Sequence, residues 1–271
     1  MKRFSMLGLY GAVFFSFVYA PIVLVIVFSF NANPINMMIW DGFTLDWYRL
    51  IFGMEAKSAE SATYVDSTAQ LYAAVRTSFI VAFSTTAVST VFGTALALGV
   101  ARFRFRLAGF YRALLLVPMI MPDIVLGIAL LIFFITIGVN LSIGTIIIGQ
   151  CTFLISYVFV TVSARLAVLD ETLEEASADL GATPAQTFRR VTLPAIAPGV
   201  LGGALLAFII SMDDLVITYF IAGTGDTTLP IHIWGMLRRG IKPEINAIAT
   251  LMLLFTLIVA AAGLYLKQRK V

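Results

Sequence analysis

Six stretches of this 271-residue chain, at about 8–30, 71–100, 110–137, 143–164, 199–222 and 245–266, are apolar over the length of a membrane crossing. A helix needs about 20 residues to cross the hydrocarbon, and it must satisfy its own backbone polar groups there. Each run therefore reads as a spanning helix. Composition agrees, with 60% hydrophobic and 12% charged residues, against about 45–50% and about 25% in soluble domains. A soluble globular domain and a disordered chain are both excluded. The expectation is an all-α integral membrane protein with six spans, forming one transmembrane domain over residues 1–271. The first run follows Lys2 and Arg3, as a secretory signal would. Its apolar core is too long for one, and it leaves through Pro21 and Ser29-Phe30-Asn31 without a small-residue cleavage pattern, so it reads as a retained span.

Basic residues set the orientation. With six spans, Lys2, Arg3, Arg102, Arg104, Arg106, Arg112, Arg165, Arg189, Arg190, Lys267, Arg269 and Lys270 fall on one side. Arg49, Lys57, Arg76, Arg238, Arg239 and Lys242 fall on the other. The positive-inside rule assigns the larger set, with both termini, to the cytoplasm. The net charge of +3 reflects that placement, and no basic run implies nucleic-acid binding. Cys151 is the single cysteine and His232 the single histidine, so no intrachain disulfide is possible and no Cys/His spacing suggests a zinc site.

Two connections are long. The outer one, 31–70, carries Trp40, Trp47 and Tyr48, which either sit at the membrane interface or contact an outside partner. The inner one, 165–198, reads as two capped helices. The first runs from Asp170, a plausible N-cap, to Gly181, a left-handed C-cap, with Leu173, Ala176 and Leu180 on one narrow apolar face. The second opens on Thr183 with Pro184 at its first position and Gln186 completing a capping box, and it ends at Leu193-Pro194. Such a loop either caps the inner mouth of the bundle or docks into a partner.

The string Glu175-Ala176-Ser177-x-Asp179-Leu180-Gly181-Ala182, followed by Phe188, Val191 and Leu193-Pro194, resembles the "EAA" motif of the permease subunits of ABC importers. Ser177 for the second Ala and Val191 for Ile are the departures. The resemblance implies the type I importer permease fold, with a coupling helix seated in a cleft of a separate ATPase. It assigns that coupling to Glu175, Ala176 and Gly181, and Asp179, Ala182, Phe188 and Pro194 complete the surface. The chain contains no Gly-Lys pair, so no phosphate-cradling loop of the Gly-x-x-x-x-Gly-Lys-Ser/Thr kind. It is expected to be no enzyme and to bind no cofactor, leaving ATP and magnesium to the partner.

Three acids lie within apolar runs. Each costs about 2.5–3.5 kcal/mol at a helix centre, so Asp123, Asp213 and Asp214 should face a bundle interior or an aqueous cavity. Asp123 follows Pro118 and Pro122, which should kink the third span. It either stabilises the N-terminus of the restarted helix or lines a pathway. Asp213 and Asp214 would point about 100° apart on a continuous helix, so one can face a pathway while the other bonds a neighbour.

The segments Met121-Pro122-Asp123-Ile124-Val125, Ser211-Met212-Asp213-Asp214-Leu215-Val216, Thr228-Leu229-Pro230 and Pro243-Glu244-x-Asn246-Ala247-x-Ala249-Thr250 look like the polyamine (spermidine/putrescine) permeases, specifically their C-type subunit. The resemblance implies a multi-pass protein of the bacterial inner membrane. It implies pairing with a second permease, two ATPase subunits and an extracytoplasmic polyamine-binding protein. Asp123, Asp213 and Asp214, beside Tyr219 and Trp234, would meet the cationic cargo by charge pairing and cation–π contact. Alternatives are an importer of another small cargo and a proton-coupled secondary transporter. Gly223-Thr224-Gly225-Asp226 spells the string of intramembrane aspartyl proteases but falls in a polar turn after the fifth run.

Overall fold

A computed structural model of the chain describes residues 6–33, 39–54, 65–102, 106–169, 172–239 and 243–268. Asp170 and the basic residues Lys2, Arg3, Lys57, Arg104, Lys242, Arg269 and Lys270 lie outside them. The described residues are helical apart from turns and one isolated antiparallel bridge between Asn31 and Phe43. Two compact units are present, Met1–Tyr72 with His232–Leu257, and Ala73–Ile231 with Ile258–Val271.

The first unit begins with α1 (Met6–Phe28), an apolar helix whose membrane-length window buries none of its residues. The chain then turns back on itself. Ala32 N–H donates to the Gly42 carbonyl at 2.9 Å and Thr44 N–H to the Phe30 carbonyl at 2.8 Å. The short α2 (Asp46–Ile51) follows. Its Trp47 is buried, not placed at a lipid interface, because the indole N–H donates to the Asn31 carbonyl at 2.7 Å. Burying an indole is favourable when its one donor finds a partner. Trp40 stays exposed.

The second unit holds most of α3 (Val65–Arg102), then α4 (Ala108–Ile120), α5 (Asp123–Thr136) and α6 (Ile143–Leu166). The expected third span is broken more sharply than a kink: α4 and α5 meet at 102°. Pro122 has no N–H to continue a helix and forces Met121 into extended backbone (φ −65°, ψ 140°). The Pro122 carbonyl then starts α5, accepting from Val125 and Leu126.

The helix α6 is the core of this unit. Ile146, Leu154, Val158 and Val162 are fully buried on it. Its main partner presents Gly199, Gly203 and Ala207 at four-residue spacing, so the backbones approach closely. A Cβ at Gly199 would come within 2.7 Å of the Arg165 Cβ.

The connection 165–198 forms α7 (Thr172–Asp179), α8 (Pro184–Thr187) and a π turn (Phe188–Thr192) that runs directly into α9 (Leu193–Asp213). The second loop helix thus does not end at Leu193-Pro194. Pro194 removes one backbone donor, and the widened π turn preceding it carries the chain through without a stop. A further break at Asp214-Leu215 separates α9 from α10 (Val216–Ile221). The fifth run, expected as one continuous helix, is therefore two. Beyond it come α11 (Leu229–Arg239) and α12 (Pro243–Gln268).

Candidate functional site

The site lies where the two broken helices meet in the second unit. A cleft of about 290 Å³ is lined by Pro118, Asp123, Phe153, Tyr157, Asp213 and Asp214, among others. All three acids singled out from the sequence share it. They arrive differently. Asp123 is exposed in the first turn of α5, where an acid suits the helix dipole. Asp213 is exposed as the last residue of α9.

Asp214 is engaged. One carboxylate oxygen accepts from the Thr218 N–H at 3.0 Å, the Thr218 hydroxyl at 2.6 Å and the Gln150 amide at 3.1 Å. The other accepts from the Ile217 N–H at 3.3 Å. Asp214 therefore caps α10 from outside, as an N-cap carboxylate does. The division of labour expected from a 100° offset on one helix arises instead from a helix break.

The aromatic residues beside these acids are not the expected ones. Tyr219 lies on α10, exposed and edge-to-face with Phe220. Trp234 belongs to the first unit, where the Arg238 guanidinium sits 5.3 Å from its ring centre. Phe153 and Tyr157 line the cleft, in an edge-to-face pair. Both were passed over in the sequence, as was Gln150. Their signal is spacing: 150, 153 and 157 stand at i, i+3 and i+7, one face of α6. Asp226 sits in a turn closed by its N–H on the Gly223 carbonyl.

The second group of candidate residues lies on the 165–198 connection. Gly181 has φ +78° and closes α7 with a Schellman pair: its N–H donates to Ala178, and Ala182 N–H donates to Ser177. Thr183 and Gln186 then cap α8 reciprocally. Ser177, the departure from the motif's second Ala, bonds the Thr187 hydroxyl at 2.9 Å and so ties α7 to α8. Glu175, Ala176 and Asp179 are exposed, as are Phe188 and Pro194. Leu173 and Leu180 are exposed too, at 54% and 89%. The narrow apolar face of α7 is thus left uncovered by its own unit.

Glu174, which precedes the motif, carries the unit's internal link. Its carboxylate takes both guanidinium nitrogens of Arg102, at the end of α3, and the Thr192 hydroxyl at 2.7 Å. Burial alone would raise its pKa. The hydrogen bonds from Arg102 and Thr192 and the guanidinium charge outweigh that and hold it below the ordinary carboxylate value.

An apolar helical protein in which two broken helices converge on an acidic cleft, with an exposed, capped helical loop, has the architecture of a membrane permease. The chain belongs to the family of binding-protein-dependent transport system inner membrane components, whose pattern matches residues 89–270. It is 36% identical to the putrescine transport system permease protein PotI of Escherichia coli over 94% of this chain and 88% of that one. It is 32% identical to the spermidine/putrescine transport system permease protein PotC of Haemophilus influenzae over 95% and 94%. Among solved structures, a bacterial ABC transporter involved in import of the acidic polysaccharide alginate matches with a TM-score of 0.70, covering 96% of this chain and 93% of that one. At 13% identity that likeness shows the fold alone, the ABC importer permease fold. The chain is a multi-pass protein of the bacterial inner membrane.

Proposed function

We propose that this chain is one of two permeases of an ATP-driven importer that carries polyamines into the cytoplasm. The observation that carries the reading is the cleft, in which Asp123 and Asp213 present carboxylates beside the rings of Phe153 and Tyr157. A unit charge pair at about 4 Å is worth about 4 kcal/mol at an effective dielectric of about 20. Two carboxylates therefore offset the desolvation of two ammonium groups, and aromatic walls suit the methylenes between them and add cation–π attraction. An anionic cargo meets repulsion at the same place. The relatives named for putrescine and spermidine transport support the same cargo.

In this reading both termini and the 165–198 connection face the cytoplasm, which the surplus of basic residues on that side supports. There the face with Glu175, Ala176, Asp179, Gly181, Ala182, Phe188 and Pro194 docks into an ATPase subunit, two copies of which hold the ATP and magnesium. A related second permease completes the path, and an extracytoplasmic binding protein delivers the amine. Nucleotide-driven closure moves the capped loop as one piece and switches access to the cleft.

The test is uptake of labelled putrescine and spermidine by the assembled transporter in vesicles. Asp123→Asn and Asp213→Asn should each lower uptake at least about tenfold with ATPase association intact, a loss of transition-state or cargo binding read from the kinetics. Wild-type uptake of neither amine, or undiminished uptake in both variants, would overturn the reading.

A further inference from the structure

One buried carboxamide joins α6, α9 and α10 at the α9–α10 break. Gln150 is fully buried on α6. Its carbonyl oxygen accepts from the Ser211 hydroxyl of α9 at 2.5 Å. Its amide nitrogen donates to Asp214 at 3.1 Å and to the Thr218 hydroxyl of α10 at 2.9 Å. Ser211 and Thr218 are themselves buried. Buried polar groups cost free energy unless paired, and a fully paired set fixes one geometry. Here the fixed geometry is an interruption: neither proline nor glycine lies between Ser211 and Thr218 to impose one.

We propose that Gln150 is a positioning residue for cargo: by clamping Ser211, Asp214 and Thr218 across the α9–α10 break, it commits Asp214 to holding that break and leaves Asp213 as the carboxylate that meets the amine. The side chain touches no cargo itself. It acts through the unwound segment Asp214-Leu215, which ends α9 at Asp213 and sets Leu215 and Val216 against the cleft that Asp213 and Asp123 share. Without the clamp, Ser211 loses its acceptor, Asp214 loses its inter-helix donor, and α9 is free to continue toward α10. Leu215 and Val216, which line the cleft beside Asp213, are then carried away from it. The proposal rests on the polyamine reading of the cleft.

The experiment uses the assembled transporter with putrescine as probe. Gln150→Leu should raise the apparent KM about tenfold or more with a smaller change in maximal rate, the pattern of lost cargo binding. Met119→Cys, on the cleft wall beside the acids, in a Cys151→Ala background should react with a cationic thiol reagent, be protected by putrescine, and lose that protection when Gln150→Leu is added. Gln150→Leu is able to fail to assemble, so a second variant is needed. The exchange Gln150→Glu with Asp214→Asn keeps one amide and one carboxylate facing each other across the break. It should return KM to within about threefold of wild type. Unchanged KM and protection in Gln150→Leu, or an exchange variant as impaired as Asp214→Asn alone, would overturn the proposal. Absence of any putrescine uptake by the wild-type assembly would instead overturn the cargo reading beneath it.

Discussion

The Arg102 guanidinium closes a two-point ion pair on the Glu174 carboxylate, joining the end of α3 to α7 across 72 positions of sequence. The Thr192 hydroxyl, on the π turn that leads into α9, binds the same carboxylate. Two apolar helices and the loop helix therefore meet on one acid. A loop tied at this point transmits displacement of α7 to α3 and α9 together, where a loop tied only at its ends would bend. Both partners remain partly exposed, at 36% and 20%, so the pair adds about 1 kcal/mol or less to stability. Glu174→Gln should lower the Tm of the purified protein only slightly while uncoupling nucleotide hydrolysis from uptake. The charge exchange Arg102→Glu with Glu174→Arg should recover part of the coupling. Full coupling in Glu174→Gln would refute this role.

The same carboxylate makes a pH prediction. Its folded pKa lies below the ordinary value of 4.5, because the Arg102 and Thr192 bonds and the guanidinium charge outweigh burial. A depressed carboxylate contributes stability that is fully present above the unfolded pKa and is lost as pH falls through the folded one. Arg102 does not titrate in this range. The stability difference between wild type and Glu174→Gln should therefore be constant above about pH 5.5 and shrink below about pH 4.5. Thermal unfolding in detergent across that range measures it. A difference that has already collapsed at pH 6.5 would contradict the assignment.

The two adjacent acids should separate by phenotype. Asp214 holds α10 through three hydrogen bonds and is tied to α6 by a fourth, and losing an N-cap acceptor costs about 1–2 kcal/mol. Asp214→Ala should lower thermal stability and assembly yield, whereas Asp213→Ala should leave both near wild type and remove uptake. Equal loss of stability in the two variants would mean that the break does not depend on Asp214.

Close packing gives a contrast within a single helix. A Cβ on Gly93 would lie 2.7 Å from the Val158 Cβ and 2.9 Å from the Ile155 carbonyl oxygen, neither of them the far end of a flexible chain. Gly93→Ala should destabilise by about 1–3 kcal/mol through overpacking against α6. Gly99, two turns further along α3, has open space where a Cβ would go. Gly99→Ala should leave stability unchanged or raise it by up to about 1 kcal/mol, since glycine weakens a helix interior. Melting curves of the two purified variants settle the ordering.

What the sequence discloses follows how local each cause is. The caps around Gly181 and Thr183 were legible because capping residues act on their own next turn. The interruption after Met121 was legible because Pro122 acts on its immediate neighbours, although its 102° angle was not. The break at Asp214 carries no proline or glycine and bonds to Gln150, 64 positions earlier, so the run 199–222 read as one helix. Glu174 was overshadowed by the motif residue Glu175, since its partner Arg102 is remote in sequence. Trp47 read as an interface residue because nothing local marks the Asn31 carbonyl that buries it. The chain without a Gly-Lys pair was expected to leave nucleotide chemistry to a partner, which makes that dependence the central claim.

Accumulation of labelled putrescine in vesicles, with and without partner subunits, tests it most directly. The account predicts concentration against a gradient only when this chain is assembled with its second permease, the ATPase pair and the loaded binding protein, and only with ATP inside the equivalent of the cytoplasmic face. Vesicles that hold this chain alone and still concentrate putrescine, driven by a proton gradient or by nothing added, would contradict it.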